Sequence, residues 1–273
     1  MNEKPNLVFY KYQALGNDFV IVDGREFPLK SPLKFAKRVC DRRFSVGCDD
    51  LLYLEASKTA NVKMRICEPD GSESSMCGNG IRCVALYLTD KGMPKIVSVE
   101  TLGGVKVVEQ VGKNRFKVDM GNMQKIGQFI FPPSERIVEE RNLEIGHFYV
   151  VCPSEPHAVV IVPNVSEINI SEAVEVSKKF DLFPYGINVD FLELGENAIK
   201  VRTFERGIWG ETYACGTGAV ASAFVASNFF GTPREINVKM KGGELTVSES
   251  AETIYLTGIA SFVFKGEMHY EEY

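Results

Sequence analysis

No stretch of this 273-residue chain approaches the roughly 18 consecutive apolar residues that a membrane span requires. The opening Met-Asn-Glu-Lys-Pro-Asn lacks the basic-then-apolar pattern of a secretory leader, so a cytoplasmic protein is expected. Histidine is scarce: there are only His147, His157 and His269. The seven cysteines, Cys40, Cys48, Cys67, Cys77, Cys83, Cys152 and Cys215, contain no C-x-x-C pair. That excludes a zinc knuckle, and an odd count argues against a disulfide scaffold. The thiols read as reduced, and no metal is expected. Nor is there an excess of positive charge; the net charge is −5, which steers nothing toward nucleic acid or anionic membrane. The short basic cluster Lys37–Arg43 reads as a solvated helix face. Tryptophan occurs once, at Trp209. What remains is ordinary globular material, 45% apolar and 25% charged, and long enough for two compact domains.

Against that background one pattern occurs twice. Glu73-Ser-Ser-Met-Cys77-Gly-Asn-Gly80 and Glu211-Thr-Tyr-Ala-Cys215-Gly-Thr-Gly218 both read E-x-x-x-C-G-x-G, and each leads into an apolar segment. A cysteine at a helix start lies in the positive end of the backbone dipole, which favours its thiolate. The Gly-x-Gly turn beside it offers bare N–H groups to a carboxylate or phosphate.

The likeness extends outward. Val62-Lys-Met-Arg-Ile-Cys-Glu68 lies opposite Ile199-Lys-Val-Arg-Thr-Phe-Glu205, both alternating like strands, and Val97–Gly104 lies opposite Ile236–Gly243. The offset is 137 at Arg65/Arg202, 138 at Cys77/Cys215 and 139 at Gly103/Gly242. This is a diverged internal duplication. Each half reads strand, turn, apolar helix (Ile81–Leu88, Ala219–Phe230), strand, Gly-Gly turn, strand. An α/β (α+β) fold is expected, with two pseudo-symmetric lobes, each a curled mixed sheet wrapped around a central apolar helix. The lobes are expected at 1–121, carrying Cys77, and 122–262, carrying Cys215, with a strand at about 263–273 as a candidate to return to the first. A boundary is expected near Met120-Gly-Asn-Met-Gln124, and loop plus a short helix over Pro132–Arg141.

Two such cysteines suit one chemistry. A carboxylate between two helix N-termini is neutralised without metal. One thiolate then abstracts the α-proton while the other thiol protonates the opposite face, inverting the centre. Donors aimed at the developing enediolate, in a site closed to water, would lower the barrier. A redox switch forming a Cys77–Cys215 disulfide is the competing reading from another class, a thiol redox sensor on the same scaffold. A cysteine-nucleophile hydrolase is weaker, because no histidine relates equally to both thiols.

The motifs resemble the cofactor-independent diaminopimelate epimerases along the whole chain. Leu15–Asp23 is similar to the family's N-terminal strand, Asp70–Cys83 to its first cysteine signature and Pro156-His157 to a mid-chain motif. Gly186-Ile-Asn188-Val resembles its asparagine strand, and Glu205-Arg206-Gly207 with Ala214–Gly218 its second signature. The related proline racemases place a histidine where Asn79 stands, and phenazine-type isomerases lack the cysteine pair. The resemblance implies an isomerase with two similar lobes, the site between them, and a homodimer. It implies Cys77 and Cys215 as the acid/base pair, no pyridoxal phosphate and no metal. Gly78, Asn79, Gly216 and Thr217 would hold the reacting carboxylate, and Asn17 would contact substrate near the reacting centre. Asn188, Glu205 and Arg206 would line the rest, Arg206 suiting a distal carboxylate. His157 and Glu205 would tune the thiols. The substrate implied is LL- or meso-diaminopimelate, in lysine and peptidoglycan precursor synthesis. Tyr270 and Tyr273 are candidates for a dimer contact.

Four departures cluster on substrate recognition. The family's Phe-Asn-Ala-Asp-Gly-Ser-Glu is here Cys67-Glu68-Pro69-Asp70-Gly-Ser-Glu73, and its Asn-Pro-His is Glu155-Pro156-His157. Asp50 stands where many members have glutamine or glycine, and Trp209 is an extra residue before Gly-Glu-Thr. Amides donate hydrogen bonds to a distal carboxylate; ionised glutamates repel it. Glu68 and Glu155 would favour a distal ammonium, as in lysine, ornithine or arginine, or would engage Arg206.

Overall fold

A computed structural model describes residues 6–121, 139–143, 146–151, 155–178 and 183–270. The first strands are β1 (Asn6–Ala14) and β2 (Asn17–Asp23), followed by α1 (Pro32–Val39) and the strands β3 (Asp50–Glu55), β4 (Val62–Cys67) and β5 (Glu73–Ser74). After α2 (Gly78–Asp90) come β6 (Ile96–Thr101), β7 (Gly104–Gly112) and β8 (Arg115–Gly121). Next are β9 (Glu139–Leu143), β10 (Gly146–Val151) and β11 (His157–Ile161), two single 3-10 turns, and the short α3 (Ala173–Ser177). The strands β12 (Asn188–Glu193), β13 (Ala198–Glu205) and β14 (Gly210–Glu211) lead to α4 (Gly216–Phe230). The last are β15 (Glu235–Met240), β16 (Gly243–Glu249), β17 (Ile254–Ile259) and β18 (Ser261–His269). The chain forms two compact units, one of Met1–Val118 with Gly258–Tyr273, the other of Asp119–Thr257.

In the first unit the sheet runs β18-β1-β2-β3-β4-β6-β7-β8, with parallel pairs only at β2/β3 and β4/β6. In the second it runs β9-β10-β11-β12-β13-β15-β16-β17, with parallel pairs only at β11/β12 and β13/β15. Order and direction match strand for strand. The mixed α+β architecture expected from the repeat is therefore present in each unit. The last strand, β18, completes the first sheet at the place that β9 takes in the second.

β9 corrects the expectation of loop plus short helix over Pro132–Arg141, of which 132–138 lie outside the described residues. Its backbone pairs antiparallel with β10, Glu139 opposite Val150. An edge strand tolerates charged residues that would discourage an interior one, so the charged composition misled. Residues 122–124 of the expected boundary segment, and Tyr273, also lie outside the described residues.

Each sheet wraps its long helix. α2 touches β1, β2, β4, β7 and β18, and α4 touches β10, β11, β12, β13, β15 and β16. Every residue of α2 from Gly78 to Leu88 is buried. In α4 burial lasts as far as Ala226, after which the final turn emerges and Phe229 and Phe230 are exposed. Their rings lie 4.8 and 5.7 Å from that of Tyr149. The opposite face of each sheet is covered differently. In the first unit, Phe35, Ala36 and Val39 of α1 pack on Leu7, Val20, Val22 and Leu51. In the second, Ala173 and Val176 of α3 pack on Val160, Val189, Phe191 and Phe204.

Candidate active site

The two cysteines cap the two central helices. Cys77 is the N-cap of α2, its backbone extended, and its sulfur accepts the Gly80 N–H at 3.3 Å. Cys215 caps α4 in the same way, accepting the Gly218 N–H at 3.4 Å. A sulfur thus stands where a serine or aspartate oxygen usually does.

The glutamate of each motif holds the cysteine turn in place. Arg65 on β4 grips Glu73 with Nε and Nη2 at 2.9 and 2.7 Å. Arg202 on β13 grips Glu211 at 2.7 and 3.2 Å. Beyond each helix, the Gly-Gly turn returns to the same segment: the Gly103 N–H donates to Ser75 O at 2.9 Å and the Gly242 N–H to Tyr213 O at 2.7 Å. The one-residue drift between Arg65/Arg202 and Cys77/Cys215 lies in the loop from Glu205 to Glu211, where Trp209 adopts φ +55.

Around these matching frames the neighbours differ. Register makes the equivalences explicit. Phe19 pairs with Asp50 and Leu52 with Ile66; His157 pairs with Asn188 and Asp190 with Thr203. In the first unit the turn of α2 rests on apolar Leu52, with Phe19 and Ile66 also buried. Asn17, at the end of the tight Leu15-Gly16 hairpin, offers Oδ1 to Asn79 Nδ2 at 3.2 Å and lies 3.8 Å from Cys77 Sγ. Its amide is fixed from behind by Asp49 at 2.7 Å, which Arg42 also grips at 2.7 Å. One turn into α2, fully buried Arg82 donates to Gly78 O at 2.8 Å and to Asn79 Oδ1 at 2.7 Å. Burial pulls its guanidinium down to about 10, while the thiols of Cys83 and Cys77 act in the opposite sense. It remains a cation at neutral pH, beside Cys77.

In the second unit the equivalent place is polar and acidic. His157 Nδ1 lies 2.7 Å from Asp190 Oδ2, and His157 Nε2 lies 3.0 Å from Thr217 Oγ1. Thr217 Oγ1 lies 3.3 Å from Cys215 Sγ. Asn188 Nδ2 reaches His157 Nε2 at 3.3 Å, while Asn188 Oδ1 accepts the Arg206 N–H at 2.9 Å. Burial, then the carboxylates of Glu205 and Asp190, push the Cys215 thiol well above its ordinary range. The Thr217 hydroxyl and Gly218 N–H pull the other way without prevailing. The helix terminus was expected to favour a thiolate; for Cys215 desolvation and two anions outweigh it. Glu205 itself is pushed up to about 7, by burial first. A hydrogen bond from Thr212 and the neighbouring His157 lower it, while Glu155 and Asp190 raise it.

The departures from the family pattern divide between the units. Asp50 is buried against Glu68; desolvation and the Glu68 charge hold its carboxyl protonated well above the ordinary range, and Ser74 also bonds Glu68. Glu155 lies 3.8 Å from Arg206 Nη2 and accepts from Asn188 Nδ2 at 3.4 Å. Trp209 carries the Lys178 ammonium 5.2 Å above its ring, and a Cβ at Gly186 would lie 3.3 Å from it. The first unit therefore assembles Asn17, Asp50, Glu68, Cys77, Gly78 and Asn79. The second assembles Glu155, His157, Asn188, Glu205, Arg206, Trp209, Cys215, Gly216 and Thr217.

Three residues of the site are not candidates from sequence: Arg82, a lone charge inside an apolar helix, Asp190 and Asp49. Asp190 is an acidic residue inside the apolar run Ile187–Leu192, and that is the signal that could have found it. Asp49, behind Asn17, gave none. Among the described residues Cys40, Cys48, Cys67, Cys77, Cys83 and Cys215 are free thiols, and no helix is long and apolar enough to cross a membrane.

The family model for diaminopimelate epimerase matches residues 9–126 and 149–263. The diaminopimelate epimerase of Acetivibrio thermocellus is 40% identical over 97% of this chain and 99% of its own. That of Methanocella arvoryzae is 39% identical over 95% and 96%. Among solved structures, a phenazine biosynthesis protein of Bacillus anthracis superposes with TM-score 0.67 at 18% identity, covering 97% of this chain and 99% of its own. A hydroxyproline epimerase of Agrobacterium vitis gives 0.69 at 14% identity, covering 98% and 92%; these two share the fold. With nearly its whole length matched by the family model and by curated relatives, the chain belongs to the diaminopimelate epimerase family, a family of isomerases.

Proposed function

We propose that this protein inverts the α-carbon of an amino acid by two-cysteine acid/base chemistry, interconverting LL- and meso-diaminopimelate. The observation that carries the reading is the pair of cysteine N-caps, built alike in the two units on buried helices. One sulfur, as thiolate, removes the α-proton; the other, as thiol, delivers a proton to the opposite face. Cys215, held protonated at rest by burial first and by Glu205, is the donor of the first turnover, and Cys77 the base. N–H groups at Gly78, Asn79, Gly216 and Thr217 would neutralise the reacting carboxylate and stabilise the enediolate as charge develops. Asn17 would orient the substrate near the reacting centre, and Asn188, Glu205 and Arg206 would bind its remainder. No pyridoxal phosphate or metal has a part in this scheme. A homodimer in the cytoplasm is the accompanying proposal.

A second reading keeps the reaction and changes the substrate. Glu155 already engages Arg206, and a protonated Asp50 beside Glu68 replaces the amides expected for a distal carboxylate. A cationic amino acid such as lysine, ornithine or arginine would suit these acids better. The experiment is α-proton exchange in deuterated water over meso- and LL-diaminopimelate, lysine, ornithine, arginine and neutral amino acids. Turnover confined to diaminopimelate would support the first reading, and turnover of a cationic amino acid the second. Cys77→Ser and Cys215→Ser should each lower inversion by about a thousandfold. Full activity in either variant would refute the two-base scheme.

A further inference from the structure

Cys215 sits at one end of a continuous file of hydrogen-bonding groups, and the polarity of that file is fixed from its far end. Asp190 is fully buried, and its two oxygens are already taken: Oδ1 accepts from Thr203 Oγ1 at 2.6 Å and Oδ2 meets His157 Nδ1 at 2.7 Å. A carboxylate can only accept, so Nδ1 of His157 carries the ring proton. Nε2 is then the acceptor. Asn188 independently says the same, because its Oδ1 is committed to the Arg206 N–H, which turns its Nδ2 toward Nε2. Thr217 Oγ1 lies 3.0 Å from Nε2, an acceptor it shares with Asn188 Nδ2. Cys215 Sγ stands on the other side of that hydroxyl at 3.3 Å, so the hydroxyl bridges thiol and imidazole.

We infer that Asp190, His157 and the Thr217 hydroxyl form a proton relay that ionises Cys215, with Asp190 as the positioning residue and Thr217 as the bridge. The proton leaves Cys215 Sγ for Thr217 Oγ1 as the hydroxyl proton passes to His157 Nε2. A thiolate and an imidazolium result, the latter held by Asp190 through Nδ1–H. Nothing is consumed, and return of the two protons restores the starting state. The other titratable or charged groups around this sulfur are Glu205 on β13, itself beside Glu155, and the N-terminal dipole of α4. Both carboxylates oppose direct ionisation of so buried a thiol, so a route that deposits the proton on an adjacent base changes what the site can do. In the first unit Leu52, Phe19 and Asn79 hold the positions of Asp190, His157 and Thr217. The close seating of α4 on Asp190 is part of the device, since a Cβ at Gly218 would collide with Asp190 Oδ1.

The inference rests on the reading of Cys215 as an acid/base, but its test does not need turnover. Substrate-free full-length protein is alkylated with iodoacetamide from about pH 6 to about pH 10, and modification of Cys215 is followed by mass spectrometry of its peptide. Thr217→Val should slow alkylation near neutral pH by about tenfold and raise its pH midpoint by about one unit, leaving the high-pH plateau unchanged. Thr217→Ser should restore the wild-type curve. Asp190→Asn should move the midpoint upward too, whereas removal of a nearby negative charge, without a relay, would move it downward. A downward shift in Asp190→Asn, or an unchanged curve in Thr217→Val, overturns the relay. Should Asp190→Asn fail to fold, Asp190→Ser, which also removes the charge, decides in its place: an upward midpoint supports the relay and a downward one overturns it. Full inversion activity in Cys215→Ser would defeat the two-cysteine reading instead, independently of the alkylation curve.

Discussion

Behind Cys77 the chain places Phe19, Leu52 and Ile66; behind Cys215, at the same three sheet positions, it places His157, Asp190 and Thr203. The frames are otherwise alike, down to the arginine–glutamate grip and the Gly-Gly return. Duplication supplied two identical helix starts, and divergence charged them oppositely. Arg82 puts a buried cation beside Cys77, while Asp190 and Glu205 put anions beside Cys215. In the proposed two-cysteine scheme, unlike surroundings would decide which of the two thiols holds the proton.

The comparison is most easily broken at the glycines that let each helix approach its sheet. At Gly80 a Cβ would meet Leu52 methyls at 3.2 and 3.4 Å, flexible side-chain ends that can give way. At Gly218 it would strike the Asp190 carboxylate, which is hydrogen-bonded on both sides. Gly218→Ala should therefore cost about 3 kcal/mol in urea unfolding, and Gly80→Ala less than about 1 kcal/mol. Equal costs would mean that the two helix seats are the same after all.

Glu205 offers a sharper test, through pH. Its folded-state pKa of about 7 stands above the 4.5 of an ordinary glutamate, so the folded protein binds this proton more tightly than the unfolded chain. The resulting stabilisation is complete below about pH 4.5 and is lost as pH rises to about 7. It amounts to something on the order of 3 kcal/mol. Glu205→Gln should flatten that part of the stability curve, measured by urea unfolding at several pH values. Glu68, at the matching position after β4, lies against Asp50 instead, so Glu68→Gln should leave the segment produced by Glu205 in place.

The smallest contrast concerns the two arginines. Arg65 holds Glu73 and lies 3.7 Å from Glu55. Arg202 holds Glu211 and also donates to Val165 O and Ile168 O, both at 2.8 Å. Arg202→Met should destabilise by about 2 kcal/mol and Arg65→Met by about 1 kcal/mol, because the former also strips donors from two carbonyls.

Much of this was legible in the sequence because repetition amplifies it. Glu73 and Glu211, Arg65 and Arg202, and Gly103 and Gly242 could be paired by offset alone, and each pairing corresponds to a contact of the same kind in both units. The apolar helices announced themselves by lacking a polar face. What escaped was asymmetric by nature. Asp190 has Leu52 as its counterpart, so comparing the halves hides it, and its partner His157 comes from a strand 33 residues earlier. The depression expected of both thiols was a statement about helix ends; burial and the carboxylates on neighbouring strands, which reverse it for Cys215, arise only on folding. The charged segment at Glu139–Leu143 misled because edge pairing depends on backbone, which composition does not display.

Whether the two unlike thiols act as separate acid and base is tested most directly by where solvent deuterium goes in the first few per cent of reaction. With LL-diaminopimelate in deuterated water, deuterium is expected at the α-carbon of the meso product and none in recovered LL substrate. Deuterium appearing at equal rates in both, as a single shared base would give, would contradict it.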